Sequence, residues 1–120
     1  MQSMCNISEQ AVFDTLKYRI VVNEYGTRMY YNSANKLHRD DGPAAESSDG
    51  DKFWYQNGLI HRTDGPASVS PGGTKEWYQT GLRHRTDGPA IEWASGRKDW
   101  FINGIYMTEA EFKEAVKQNA

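Results

Sequence analysis

The sequence His-Arg-Thr-Asp-Gly-Pro-Ala at residues 61–67 decides the fold, because it recurs unchanged at residues 84–90 and as His-Arg-Asp-Asp-Gly-Pro-Ala at residues 38–44. The copies repeat with a period of 23, and the same period links nine of the 11 glycines, all three histidines and three of the four tryptophans. A fixed period of this length is typical of an array of units that pack on their neighbours.

Each unit is predicted to be a β-hairpin. Asp-Gly-Pro-Ala supplies a turn, since Asp bonds its own downstream backbone, Gly allows positive φ and Pro begins an extended segment. The first strand then ends at a glycine turn. The second strand is expected to place Trp on one side and the next Tyr or Phe on the other. These second strands are Lys52–Gln56, Lys75–Gln79 and Lys98–Ile102, closed by Asn57-Gly58, Thr80-Gly81 and Asn103-Gly104.

The two ends of the array are expected to differ from its middle. A shift by one period aligns Tyr31 with Trp54, so residues 18–32 predict a degenerate first hairpin. Residues 8–17 carry a weak helix signal. Residues 108–111, Thr-Glu-Ala-Glu, form a capping box that predicts a helix from about Glu109 to Lys117. This helix would cover the open edge of the sheet.

The predicted fold class is therefore mainly β: an extended antiparallel sheet of tandem β-hairpin repeats with a C-terminal capping helix. An N-terminal segment, residues 1–17, contains the possible short helix. The repeat array occupies 18–107, and the capping helix and tail occupy 108–120. The units are expected at about 18–37, 38–60, 61–83 and 84–107.

Composition excludes several classes of protein. The chain of 120 residues is 38% hydrophobic, with a mean hydropathy of −0.82 and a net charge of −2, so a thick aliphatic core is not expected. No apolar run is long enough to span a bilayer and the first ten residues do not resemble a secretion signal, which predicts a soluble, cytoplasmic protein. A single cysteine, Cys5, excludes an intrachain disulfide.

The units resemble the MORN-repeat superfamily, and above all its variant with Trp-Tyr-x-Asn-Gly and Asp-Gly-Pro-Ala, as in small proteins of tailed bacteriophages and bacteria. The resemblance covers residues 18 to 107 and implies the fold and an interaction role, with no catalytic residues. The classical unit has Gly after His, whereas here Arg39, Arg62 and Arg85 occupy that position. The lipid binding attributed to the family is therefore not implied.

The repeated His-Arg-x-Asp motif is the constellation that looks catalytic. Because it occurs in three units, we interpret it as structural, with Arg pairing bidentately with Asp and His bonding a backbone carbonyl or stacking on a neighbouring Trp. The alternative is a domain that binds, or hydrolyses, a nucleotide or phosphate ligand through this motif. Equivalent histidines should lie about 10 Å apart, too far to share a zinc ion, so no metal or cofactor is expected.

The aromatic rows are the favoured binding residues, because exposed rings offer a large contact area at little entropy cost. We predict a non-enzymatic module that binds a host or phage protein, such as a phage accessory, host-takeover or anti-defence factor in the host cytoplasm. The sequence leaves open whether the chain forms a homo-oligomer, and no membrane contact is expected.

Between His38 and Gly104 there are 8 Lys and Arg against 10 Asp and Glu, which argues against the third alternative, a single-stranded nucleic-acid binder. The candidate binding residues are Trp54, Tyr55, Trp77, Tyr78, Trp100, Phe101, Arg39, Arg62, Arg85, His38, His61 and His84.

Overall fold

The computed structural model describes residues 10–13 and 18–118, and it confirms a mainly β fold with one C-terminal helix in this part of the chain. The molecule is elongated, with extents of 59 × 29 × 19 Å. The strands are β1 (Gln10–Phe13), β2 (Arg19–Val22), β3 (Arg28–Tyr31), β4 (Ala45–Glu46), β5 (Lys52–Phe53), β6 (Tyr55–Gln56), β7 (Leu59–Ile60), β8 (Ser68–Val69), β9 (Lys75–Glu76), β10 (Tyr78–Gln79), β11 (Leu82–Arg83), β12 (Ile91–Glu92), β13 (Lys98–Ile102) and β14 (Ile105–Met107), and the helix is α1 (Glu109–Gln118).

The main sheet is antiparallel and has the order β1-β2-β3-β4-β5-β8-β9-β12-β13-β14 among the described residues. The units at 38–60 and 61–83 each contribute two strands to it, as predicted for tandem hairpins, and the last unit contributes three because β14 also pairs with β13. The turns between these strands are closed by glycines with positive φ: Gly50, Gly73 and Gly96. Gly26, which lies outside the period of 23, closes the first hairpin in the same way.

The aromatic second strand is continuous over Lys98–Ile102, as predicted, but it is interrupted in the two preceding units. It leaves the main sheet at Trp54 and at Trp77, and the residues that follow form separate two-stranded hairpins, β6–β7 and β10–β11. These tight hairpins turn at Asn57-Gly58 and Thr80-Gly81, where both residues have positive φ. Each of these two units therefore contains two hairpins, one in the main sheet and one beside it.

The first unit is shifted by one position from the predicted alignment. Tyr30, and not Tyr31, takes the place of Trp54: its N–H donates to the Ala44 carbonyl at 2.8 Å, as the Trp54 N–H donates to the Ala67 carbonyl at 2.8 Å. The cause is a longer turn after Tyr30, in which Asn35 adopts a φ of 61°. The step from Tyr30 to Trp54 is therefore one position longer than the period of the other units.

The helix predicted within residues 8–17 is wrong where the structure describes this segment. Gln10–Phe13 form strand β1, paired antiparallel with β2. The backbone of β2 provides a template for hydrogen bonds along its whole length, which outweighs the weak helical periodicity. The rest of that expectation lies outside the described residues.

The C-terminal helix begins as the capping box predicts. The Thr108 N–H donates to Glu111 Oε1 at 2.8 Å, and the Glu111 N–H donates to Thr108 Oγ1 at 3.1 Å. Phe112 is buried, and its ring lies 6.5 Å from that of Trp100, centroid to centroid. The helix thus covers the aromatic ring of the last unit.

The core is thin and is built around small residues. Ala44, Ala67 and Ala90, the last residues of the three motif copies, are completely buried. Each carbonyl accepts a hydrogen bond from the aromatic residue of the preceding unit. The backbones approach closely at these alanines, which positions the motif residues against the preceding ring.

Candidate binding surfaces

The motif arginines stack on the aromatic ring of the preceding unit. The guanidinium carbon of Arg62 lies 4.0 Å from the centre of the Trp54 ring, and that of Arg85 lies 3.8 Å from Trp77. Arg39 covers Tyr30 at 4.0 Å. Such cation–π contacts stabilise most when both partners are partly removed from water, as they are here. Each arginine therefore joins two units.

The same arginines are held by polar contacts within their own loop. In Arg85, Nε donates to Asp87 Oδ1 at 2.8 Å and Nη1 donates to the Pro89 carbonyl at 3.0 Å. Arg62 makes the equivalent bonds to Asp64 and Pro66. The Asp contact uses one oxygen, so the bidentate pairing predicted from the sequence is wrong. In each arginine, Nη1 donates instead to the backbone carbonyl of the motif proline.

The glycine of the motif is required by this arrangement. A Cβ atom at Gly88 would lie 2.8 Å from the guanidinium carbon of Arg85, and one at Gly65 would lie 2.9 Å from that of Arg62. A contact this short forces the arginine away from its position over the ring. The motif therefore needs Gly at this position to admit the folded-back arginine.

The neighbouring arginines lower the pKa values of the motif aspartates Asp64 and Asp87. The hydrogen bond from Arg62 lowers the pKa of Asp64 below its ordinary value of 3.8, and the bond from Arg85 lowers the pKa of Asp87 in the same way. A general acid or base is usually adjusted toward neutral pH. These carboxylates shift in the opposite direction, as expected for ion-pair partners.

The histidines bind backbone amides, which differs from both predicted roles. Nδ1 of His61 accepts a hydrogen bond from the Thr80 N–H at 2.8 Å. His38 and His84 accept in the same way from Asn57 and Asn103, each at 2.9 Å. Each ring nitrogen that accepts such a bond carries no proton. Through this bond, each histidine links its motif to the turn of the following tight hairpin.

A groove lies between successive motif loops. The groove between the first two loops has a volume of about 650 Å³ and is open to solvent. Its lining includes Trp54, Gln56 and Asp64 together with the motif arginines Arg39 and Arg62. An equivalent groove of about 450 Å³ lies between the next two loops. The array thus repeats a polar cleft of small-ligand size.

The tryptophan row is half-buried and covered. Trp54 and Trp77 lie under arginines, and Trp100 lies beside Phe112 of α1. Thr108 occupies the position where the period of 23 would place the next motif arginine. The helix therefore substitutes for the missing contact at the end of the row.

The predicted row of Tyr55, Tyr78 and Phe101 is also half-buried. Tyr78 donates to Glu76 Oε1 at 3.1 Å, and burial, followed by the charge of Glu76, raises its pKa. The guanidinium carbon of Arg83 lies 5.5 Å from the ring centres of both Tyr78 and Phe101. Part of this row is thus covered by its own neighbours.

The most exposed periodic apolar residues are not among those predicted from the sequence. Leu59, Leu82 and Ile105 are 47%, 50% and 62% exposed, and each follows the glycine of a tight turn in its unit. We call these three residues the apolar ridge. Leu82 packs against the glycine of the next turn, because a Cβ at Gly104 would lie 3.3 Å from Leu82 Cδ2. The sequence does carry a signal for the ridge, an apolar residue after each Asn-Gly or Thr-Gly.

Metal-binding clusters and membrane spans are both absent from residues 10–13 and 18–118. No group of three or more His, Cys, Asp or Glu side chains there is arranged to hold a metal ion. No helix in this part of the chain has the length and apolarity to cross a membrane.

Comparisons with protein-family models, curated proteins and solved structures gave no match.

Proposed function

We propose that this chain is a non-enzymatic repeat module that binds another protein through the apolar ridge. The observation that supports the proposal is the contrast in exposure. The motif side chains are engaged in contacts within the molecule, whereas the ridge residues are about half or more exposed. With two strands per unit, the ridge residues lie about 10 Å apart in a line.

A protein is the partner that fits this surface best. Exposed apolar side chains in a row provide the buried centre of a protein interface, and aromatic residues strengthen such centres. The resemblance to phage-encoded repeats makes a bacterial host protein the first partner to seek.

The experiment is affinity capture from bacterial lysate with the wild type and with a triple variant, Leu59→Gln, Leu82→Gln and Ile105→Gln. The wild type is expected to retain a partner that the triple variant loses, while both show the same circular dichroism. Arg97→Gln is the matched control, because Arg97 is exposed and lies outside the ridge. Equal capture by the triple variant would refute the ridge as the interface.

A second candidate function is binding of a nucleotide or phosphate ligand in the groove between motif loops. Its volume of about 650 Å³ and its two arginines favour this function. The pairing of those arginines with Asp41 and Asp64 opposes it. A thermal-shift screen across nucleotides separates the candidates, since a ligand at 100 times its Kd adds about 2.7 kcal/mol of stability.

A further inference from the structure

The three full repeats differ at one position that touches the motif arginine. Seven positions after that arginine the chain has Glu46, Val69 and Glu92 in successive units. Arg85 Nη1 donates to Glu92 Oε2 at 3.0 Å, and Arg39 Nη1 lies 3.8 Å from Glu46 Oε1. The molecule itself therefore places a carboxylate beside the arginine in two of these units.

The middle unit has no carboxylate at this position, because Val69 replaces it. Val69 lies directly opposite Lys52 on one side and Lys75 on the other. Directly opposite residues of antiparallel strands share a face, with Cβ atoms about 4.5–5.5 Å apart. Both lysines are exposed, and within the described residues neither forms an ion pair. Val69 is therefore flanked by two lysines, and each lysine has a glutamate, Glu46 or Glu92, directly opposite it on its other side.

Arg62 adds a third positive charge, and its position is fixed. Its Nε bonds Asp64, its Nη1 bonds the Pro66 carbonyl, and its guanidinium lies 4.0 Å from the Trp54 ring centre. Arg85 makes the same three contacts and still binds Glu92. The guanidinium of Arg62 therefore keeps the capacity to bind an anion without rearranging.

We propose that the surface at Val69, between Lys52, Lys75 and Arg62, binds an anionic oxygen group of a ligand, a carboxylate or a phosphate. The ligand oxygen takes the place that Glu92 occupies in the next unit. This site contains none of the residues of the apolar ridge, so its test is independent of the test of the proposed function. Its specificity comes from a fixed guanidinium with two flexible lysine side chains around it.

The test is an NMR titration of the full chain with two probes, inorganic phosphate and a tetraglutamate peptide, at constant ionic strength. The side-chain resonances of Arg62 and the methyl resonances of Val69 are expected to shift saturably. Those of Arg85 are expected to stay in place, because Glu92 already occupies its anion position. Saturation by one probe only would support the site and identify its ligand chemistry. Equal shifts of both arginines, or no shift with either probe, would overturn the proposal.

Substitutions copied from the neighbouring units sharpen the test. Val69→Glu restores the residue of the flanking units, keeps the fold and should weaken binding at least tenfold. Glu92→Val should create a second site at Arg85 and double the stoichiometry. Lys75→Gln should weaken binding severalfold, because Lys75 flanks Val69, whereas Lys98→Gln is the control that leaves binding unchanged. Binding by Val69→Glu at wild-type affinity would also overturn the proposal.

Discussion

The motif loops and the apolar ridge repeat with the same period, but they differ in what their side chains contact. Arg62 and His61 are charged or polar, and they are bound to a ring, to carbonyls and to an amide. Leu82 and Ile105 are apolar and half or more exposed. The comparison shows that repetition alone does not separate a structural joint from an exposed surface that is available for binding. The contacts make that distinction.

The largest expected effect on the free energy of unfolding is at Arg85, one of the arginines that join two units. Arg85→Ala removes the stacking on Trp77, leaves the Pro89 carbonyl without its donor and breaks the bond to Glu92. We expect the free energy of unfolding to fall by about 3 kcal/mol. Urea denaturation followed by circular dichroism measures this change. Arg97→Ala, which loses one contact at 3.4 Å, should change it by less than about 0.5 kcal/mol.

A smaller effect is expected when the arginine is displaced instead of removed. Gly88→Ala places a methyl group 2.8 Å from the guanidinium carbon of Arg85. We expect a loss of about 1–2 kcal/mol, because the stacking on Trp77 must loosen. The matched control is Gly72→Ala, where the nearest atom is 3.9 Å away. If both substitutions cost the same in thermal denaturation, the close packing of this arginine has no energetic role.

The histidine joint is expected to contribute less than the arginine joint. His61→Ala removes the acceptor of the Thr80 N–H, which is exposed to water, so we expect a loss of about 1 kcal/mol. Amide hydrogen exchange at Thr80 should also become faster. Unchanged exchange at Thr80 in this variant would contradict the assigned bond.

The smallest effect concerns pH. Arg85 lowers the pKa of Asp87 below 3.8, so folded Asp87 stays charged where the unfolded chain takes up a proton. The stabilisation is present above about pH 3.8 and is lost as the pH falls through the lower, folded pKa. Carboxyl NMR should place the Asp87 midpoint below 3.8 in the wild type. In Arg85→Ala the midpoint should return toward 3.8, and a midpoint that does not move would exclude the arginine as the cause.

The sequence predicted the elements that local chemistry controls. The main-sheet turns follow from glycines with positive φ such as Gly50 and Gly73, and the start of α1 follows from the Thr108 and Glu111 pair. The shift at Tyr30 could not be read from the sequence, because Asn35 closes the longer turn without a glycine. Local composition therefore shows where a turn occurs but does not determine how many residues the turn contains.

The candidate site was harder to predict, because its contacts join residues far apart in the chain. The partner of His61 is an amide 19 residues away, and the following hairpin brings that amide to the ring nitrogen. The position of the ridge residue Leu59 directly after Asn57-Gly58 marks it in the sequence, but that position does not show that its side chain is exposed. Its exposure follows from the position of the tight hairpin beside the sheet, which arises only because the strand leaves the sheet at Trp54.

The most direct test of the central claim compares the unfolding free energies of Arg62→Ala and Ile105→Ala. Arg62 joins two units, whereas Ile105 is 62% exposed on the ridge. We predict that Arg62→Ala lowers the free energy by about 2–3 kcal/mol and Ile105→Ala by less than about 1 kcal/mol. This order is the reverse of that expected for a surface arginine and a core isoleucine. An equal or larger loss for Ile105→Ala would contradict the account.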